Sequence, residues 1–156
     1  MDPFPHIYTA TANGVQSGVV CLNSAGPPTL TSAAAAQFGG PGTLWSPEAL
    51  LAAAVADCFV LTFRAVSGAA LFGWLSLQCR VDATLSRVDR QVQFSAFSVH
   101  ATLRIAPGAD ASKARRLLRQ AKRACLIINS LKGQQTLEIH ILHGGAAGQG
   151  TAPATD

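Results

Sequence analysis

The residues of this 156-residue chain best suited to chemistry are its four cysteines, Cys21, Cys58, Cys79 and Cys125. A thiol acts as a nucleophile only as its thiolate, so each cysteine matters through what surrounds it. No two form a CxxC pair, and no Cys/His spacing suits zinc. Cys58 falls inside one apolar helical segment and Cys125 on the apolar stripe of a second. They stand 67 positions apart, so spacing alone cannot pair them. From the residues alone, either can be a buried small hydrophobe, the ordinary role of a free cysteine. Cys79 falls on an inward strand face and Cys21 near a strand end, and both read as structural. His100 and His140 sit on outward strand faces with no carboxylate or cysteine at ligand spacing, so they read as solvated. Gly39-Gly40-Pro41-Gly42 lacks the Lys-Ser/Thr that would follow in a phosphate loop.

The elements that must position these thiols follow from pattern. Residues 6–12 and 15–22 read as a hairpin about the turn dipeptide Asn13-Gly14. Pro27-Pro28 breaks the chain before a short strand near 29–32. Ser46-Pro47-Glu48 opens a helix, with Ser46 at the N-cap, Pro47 in the first turn and Glu48 against the helix dipole. That helix should run to about Val66 and end before Gly68. It is apolar nearly all round, which predicts burial on more than one side.

Residues 74–88 alternate as a strand, with Leu75, Leu77, Cys79, Val81, Ala83 and Leu85 on one face. Residues 92–105 form a second strand, paired through a turn at Asp89-Arg90. Its phase slips near Ala96, the mark of a β-bulge. Asp110 should cap a helix from Ala111 to about Asn129, and 136–142 is a last strand. The order β-β-(β)-α-β-β-α-β predicts an α+β fold with antiparallel sheets and a buried central helix. Residues 1–143 read as a single domain and the Gly/Ala-rich 144–156 as a flexible tail.

Hydrophobic residues make up 49% and charged residues 13% of the chain, with a mean hydropathy of +0.27. A soluble domain ordinarily has about a quarter charged residues, so much apolar surface should be hidden in a core or between subunits. The most apolar stretch, 49–63, is shorter than the roughly 20 residues of a membrane span. Residues 1–8 carry neither a basic nor an apolar signal region. The chain reads as soluble and cytoplasmic. Net charge is +4, yet no Lys or Arg precedes Arg64. Six cations cluster at Lys113, Arg115, Arg116, Arg119, Lys122 and Arg123 with no aromatic residues between them. This is a solvated helix face rather than a nucleic-acid surface.

The stretch from Ser46-Pro47-Glu48 through Ala52-Ala53-Ala54 to Asp57-Cys58 resembles the signature helix of the OsmC/Ohr family of thiol peroxidases. The signature combines a Ser/Asn-Pro-Glu opening, small residues and a cysteine ten positions after the Glu. Ala124-Cys125-Leu126-Ile127-Ile128-Asn129-Ser130-Leu131 resembles the family's second cysteine motif, and the element order agrees. The resemblance implies an intertwined homodimer with active sites at the subunit interface. It implies a peroxidatic Cys58, a resolving Cys125, organic hydroperoxides as substrates and a lipoyl or thioredoxin-like dithiol reductant. It involves no cofactor and no metal. Glu48 matches the family's site glutamate. On one straight helix Glu48 lies about 15 Å from Cys58, so it would act at a cysteine across the dimer.

The family places an Arg before the signature helix, and here that position is empty. Arg64, Arg80 and Gln37 are the candidate replacements. Asp57, beside Cys58, would raise the thiol pKa. Leu126 stands where the second motif commonly has Pro. The alternative reading is therefore an OsmC-fold redox sensor or apolar-ligand binder without efficient peroxidase activity.

Overall fold

The computed structural model describes residues 3–144. The chain forms two compact units, Met1–Leu51 and Ala52–Asp156. In the first, β1 (Ala10–Asn13), β2 (Val20–Ser24) and β3 (Leu30–Ser32) make an antiparallel sheet in the order β1-β2-β3. The expected tight turn at Asn13-Gly14 is not formed. Asn13 pairs with Cys21, leaving residues 14–19 as the connection. A two-residue primed turn needs positive φ at both central positions. Here the residue of this loop that takes positive φ is Gly18, at 99°. After β3, the Ala33 N–H donates to the Trp45 carbonyl at 2.9 Å, which brings the chain to the start of the long helix.

That helix, α1 (Pro47–Ala69), begins as its sequence dictates. The Ser46 hydroxyl accepts the Ala49 N–H at 3.2 Å, and Glu48 stands in the first turn. It runs past the expected end, through Gly68. Its closing turn is held from beyond the helix. The Phe72 N–H donates to the Ser67 carbonyl, and the Trp74 indole N–H donates to the buried Ser67 hydroxyl at 2.9 Å. The Trp74 ring also meets Phe63 edge-on, with centroids 5.4 Å apart. At 23 residues α1 is long and apolar enough to cross a bilayer by length and composition. The 49–63 stretch understated this length.

Burial on more than one side is not found among the described residues. Val55, Phe59, Phe63 and Ser67, four residues apart, form one buried stripe. Leu61 on another face is 49% exposed.

In the second unit, β4 (Ser76–Val88), β5 (Gln91–Ile105) and β6 (Gln134–His143) form a sheet in the order β4-β5-β6. Asp89 and Arg90 both take positive φ, 48° and 67°, and close the β4-β5 hairpin in two residues. The predicted bulge is present. Thr84 pairs with Ala96 and Leu85 with Phe94, which leaves Ser95 as the extra residue. Its hydroxyl bonds to the Ser86 hydroxyl at 3.0 Å. Beyond the bulge the buried face of β4 changes phase. Leu85 is exposed and Ser86 half-buried, contrary to the single face expected.

The core strand is β5, where Phe97, Val99, Ala101, Leu103 and Ile105 are all buried. The expectation of wholly antiparallel sheets fails at the last strand, because β6 runs parallel to β5. The helices between them carry the chain back to the strand's starting edge, and a helical crossover joins parallel strands. The first of these, α2 (Ala111–Ala124), is capped by Asp110, which accepts the Lys113 N–H at 2.9 Å. It buries Ala114, Leu117, Leu118 and Ala121. Of the expected tail, Gly144 donates its N–H to the Ile105 carbonyl, and the remainder lies outside the described residues.

Candidate functional site

The single helix expected from Ala111 to Asn129 is broken at Cys125. This residue is extended (φ −69°, ψ 115°), and the four-residue α3 (Leu126–Asn129) restarts after it. Two side chains from beyond Cys125 satisfy carbonyls on either side of the break. Asn129 Nδ2 donates to the Arg123 carbonyl at 2.9 Å. Gln135 Nε2, from β6, donates to the Ile128 and Leu131 carbonyls at 2.8 and 3.1 Å. An unbroken helix would consume the N–H groups of Leu126 and Ile127 in its own ladder. The break releases them, as at any helix start.

Those N–H groups meet sulfur. Cys58 lies on the same face of α1 as Thr62, one turn on, with Sγ and Oγ1 at 3.9 Å. Its Sγ is 3.0 Å from the Sγ of Cys125, and both thiols are free. The fold thus brings together two cysteines that spacing could not pair. A disulfide bond is about 2.05 Å long, so this contact lies roughly 1 Å outside bonding range.

The environments of the two sulfurs differ. Burial pushes the Cys58 thiol up. Hydrogen bonds from the Cys125 side chain, the Ile127 N–H, the Thr62 hydroxyl and the Leu126 N–H act in the opposite direction, and the net shift is down. Cys125 is fully buried. Burial and its bond to Cys58 push it up to about 11, against weaker help from the Ile128 and Ile127 N–H groups. One thiol is thereby poised to ionise while its neighbour keeps its proton.

Of the suggested replacements for the family Arg, neither Arg64 nor Arg80 is among the groups that shift Cys58. Arg64 is exposed on α1. Arg80 is paired with Asp82 at 2.7 Å on the exposed face of β4. Gln37 is exposed in the first unit, in the 3₁₀ turn Ala36–Phe38. Hydrogen-bond donors, not a cation, account for the lowering at Cys58. Asp57 is exposed and is not among the groups that shift Cys58. Glu48 belongs to the first unit, where its Oε2 is buried without a hydrogen-bond partner.

Cys79 is half-buried on the inward face of β4, and burial pushes it up to about 11. Cys21 is half-buried on β2, paired in register with Thr31. The histidines are less isolated than their strand spacing suggested. His100 contacts Glu138 through Nδ1 at 2.9 Å and Asp82 through Nε2 at 3.1 Å, and His140 contacts Glu138 at 2.9 Å. The signal was the shared outer face of Asp82 and of Glu138-x-His140, which only the sheet register converts into contact. Among the described residues, no three His, Cys, Asp or Glu side chains are placed to hold a metal ion.

A pair of free thiols in contact, one lowered and one raised, on an α+β scaffold defines a dithiol site of the kind suited to redox chemistry. Comparison with known proteins narrows this class. The family model described as OsmC-like protein matches residues 40–140. The peroxiredoxin OsmC of Escherichia coli is 30% identical over 103 residues, covering 66% of this chain and 70% of its own. An OsmC-like protein of unknown function from Vibrio cholerae superposes with a TM-score of 0.80 at 13% identity, over 86% of this chain and 99% of the other. An organic hydroperoxide resistance protein from Elizabethkingia anophelis gives 0.72 at 19%, over 90% and 99%. The chain belongs to the OsmC/Ohr family, as its two cysteine motifs suggested, and shares that family's α+β fold.

Proposed function

We propose that this protein is a cytoplasmic, homodimeric reductase of organic hydroperoxides, with Cys58 peroxidatic and Cys125 resolving. The observation that carries the reading is the 3.0 Å contact between a lowered and a raised thiol. The Cys58 thiolate attacks the O–O bond, releasing an alcohol and forming a sulfenic acid. Cys125 then condenses with that sulfenic acid, giving a disulfide and water. A dithiol reductant restores both thiols. Residues 1–143 serve as one functional domain, as a family match spanning both units supports. The dimer is supported by the exposed apolar faces of α1, Leu61 among them. Glu48, with an unpartnered buried carboxylate oxygen, is assigned to the site of a second copy.

The test is a titration of the purified protein with cumene hydroperoxide, counting free thiols in the wild type, Cys58→Ser and Cys125→Ser. Two thiols should disappear per chain in the wild type at stoichiometric peroxide. Cys58→Ser should lose none, and Cys125→Ser should stop at a sulfenic acid trappable by dimedone. Retention of all wild-type thiols under a large excess of peroxide overturns the reading in favour of a ligand-binding or sensing role.

A further inference from the structure

The outer face of α2 presents Arg116, Arg119 and Arg123, all exposed. No hydrogen bond or ion pair is made by their side chains among the described residues. The other cations of the helix differ. The Lys113 ammonium donates to the Ala70 carbonyl at 3.1 Å, Arg115 to Ile139 at 3.0 Å and Lys122 to Gln135 at 2.8 Å. The helix itself contains no Asp or Glu. The three free guanidiniums, with Gln120 and Leu117, line an open cleft of about 440 Å³. Arg116 and Arg123 are seven residues apart, about 10 Å along the axis. That is too long a row for one small anion and suits an extended acidic surface. The row ends two residues before Cys125, and Leu126, just after it, is 73% exposed.

We propose that this face docks the protein that re-reduces the site, a dithiol carrier whose surface around its own thiols is acidic. The proposal rests on the reading of Cys58 and Cys125 as an oxidisable pair. In the exchange, a carrier thiolate attacks one sulfur of the Cys58–Cys125 disulfide. A mixed disulfide forms and the other cysteine leaves as thiolate. The second carrier thiolate attacks the mixed disulfide. The carrier departs oxidised, and two electrons and two protons have passed to this chain. Cys125 is fully buried and Cys58 half-buried, so a freely diffusing thiol meets little exposed sulfur. Docking along the cationic row raises the encounter rate and concentrates the carrier beside the chain segment that bears Cys125.

The experiment compares the wild type with the triple variant Arg116→Gln/Arg119→Gln/Arg123→Gln. Both are first oxidised with diamide, and the Cys58–Cys125 disulfide is verified by mass spectrometry. Reduction rates are then measured with dithiothreitol and with a thioredoxin-fold dithiol protein of net negative charge. Dithiothreitol should reduce both proteins equally. The acidic carrier should be slower on the variant by about tenfold or more, and only the wild-type rate should fall as ionic strength rises towards ~0.3 M. Equal carrier rates on the two proteins overturn the proposal. So does tight oligonucleotide binding that the variant loses while its carrier rate stays unchanged. A disulfide that forms with diamide but not with hydroperoxide overturns the peroxidase reading alone and leaves the docking comparison intact. Failure to form the disulfide with either oxidant overturns both.

Discussion

Cys125→Ala removes the side chain that contributes most to lowering the Cys58 pKa, and its effect can be sized. A hydrogen bond to a charged group is worth about 1.5–3 kcal/mol. At 1.36 kcal/mol per pKa unit, that is about one to two units. A thiol is a weak donor, which places the expected rise near one unit. The thiolate fraction of Cys58 should then fall about tenfold at any pH below both pKa values, and the rate of its alkylation with it. Cys125→Ser restores a donor at the same position. Its hydroxyl is the stronger hydrogen-bond donor, so the Cys58 pKa should stay at or below the wild-type value. The assay is the iodoacetamide rate against pH, resolved by mass spectrometry because Cys21 and Cys79 are also half-buried. A Cys58 pKa in Cys125→Ala equal to or below that of the wild type would refute the reasoning. The N–H groups of Ile127 and Leu126 would then be sufficient alone.

Two further consequences concern stability. Hydrogen bonds from His100, then from His140, hold the Glu138 carboxyl below its usual range. Its contribution is therefore present above the unfolded pKa of about 4.3 and is lost as pH falls through the lower folded value. Acid unfolding of Glu138→Gln should show a shallower pH dependence below about pH 4.3 than the wild type; identical curves would sink the assignment. Asp89 and Arg90 both occupy the left-handed region, which costs L-residues energy that Asn and Gly largely avoid. Asp89→Asn/Arg90→Gly should raise stability by about 0.5–1 kcal/mol, read as a higher urea midpoint with unchanged slope. A lower midpoint refutes it.

Local pattern made some of this architecture legible. The period-2 alternation of β4 and β5, and the phase slip near Ala96, located the hairpin and its bulge, because both are properties of adjacent residues. Ser46-Pro47-Glu48 announced the start of α1 for the same reason. The break at Cys125 carries no Gly or Pro. Asn129 takes the Arg123 carbonyl that a continuous helix would use, and Gln135 satisfies the Ile128 and Leu131 carbonyls at the end of the short helix that follows. The direction of β6 was hidden likewise, since its alternation fits either pairing and the crossover decides. At the site, the motifs nominated Cys58 and Cys125, but only the packing of α1 beside the α2–α3 junction brings the sulfurs within 3.0 Å. The lowering at Cys58 comes first from the Cys125 side chain and then also from backbone N–H groups, which carry no sequence signature.

The first 63 residues contain no Lys or Arg, and the geometry at Cys58 indicates how the chain manages without one. A guanidinium beside a half-buried sulfur carries its own desolvation cost. Fixed N–H dipoles at the Cys125 break are already oriented and need no reorganisation when charge develops. The contact that lowers Cys58 also raises Cys125, so Cys58 is the first of the pair to ionise and Cys125 the last to lose its proton. On the proposed mechanism that proton has a use. When Cys58 thiolate cleaves the O–O bond, the departing alkoxide needs a proton, and Cys125 is the neighbouring group that still carries one. Giving it up makes Cys125 a thiolate beside the newly formed sulfenic acid, which is the state required to close the disulfide and expel hydroxide. On this mechanism resolution is triggered by the attack itself.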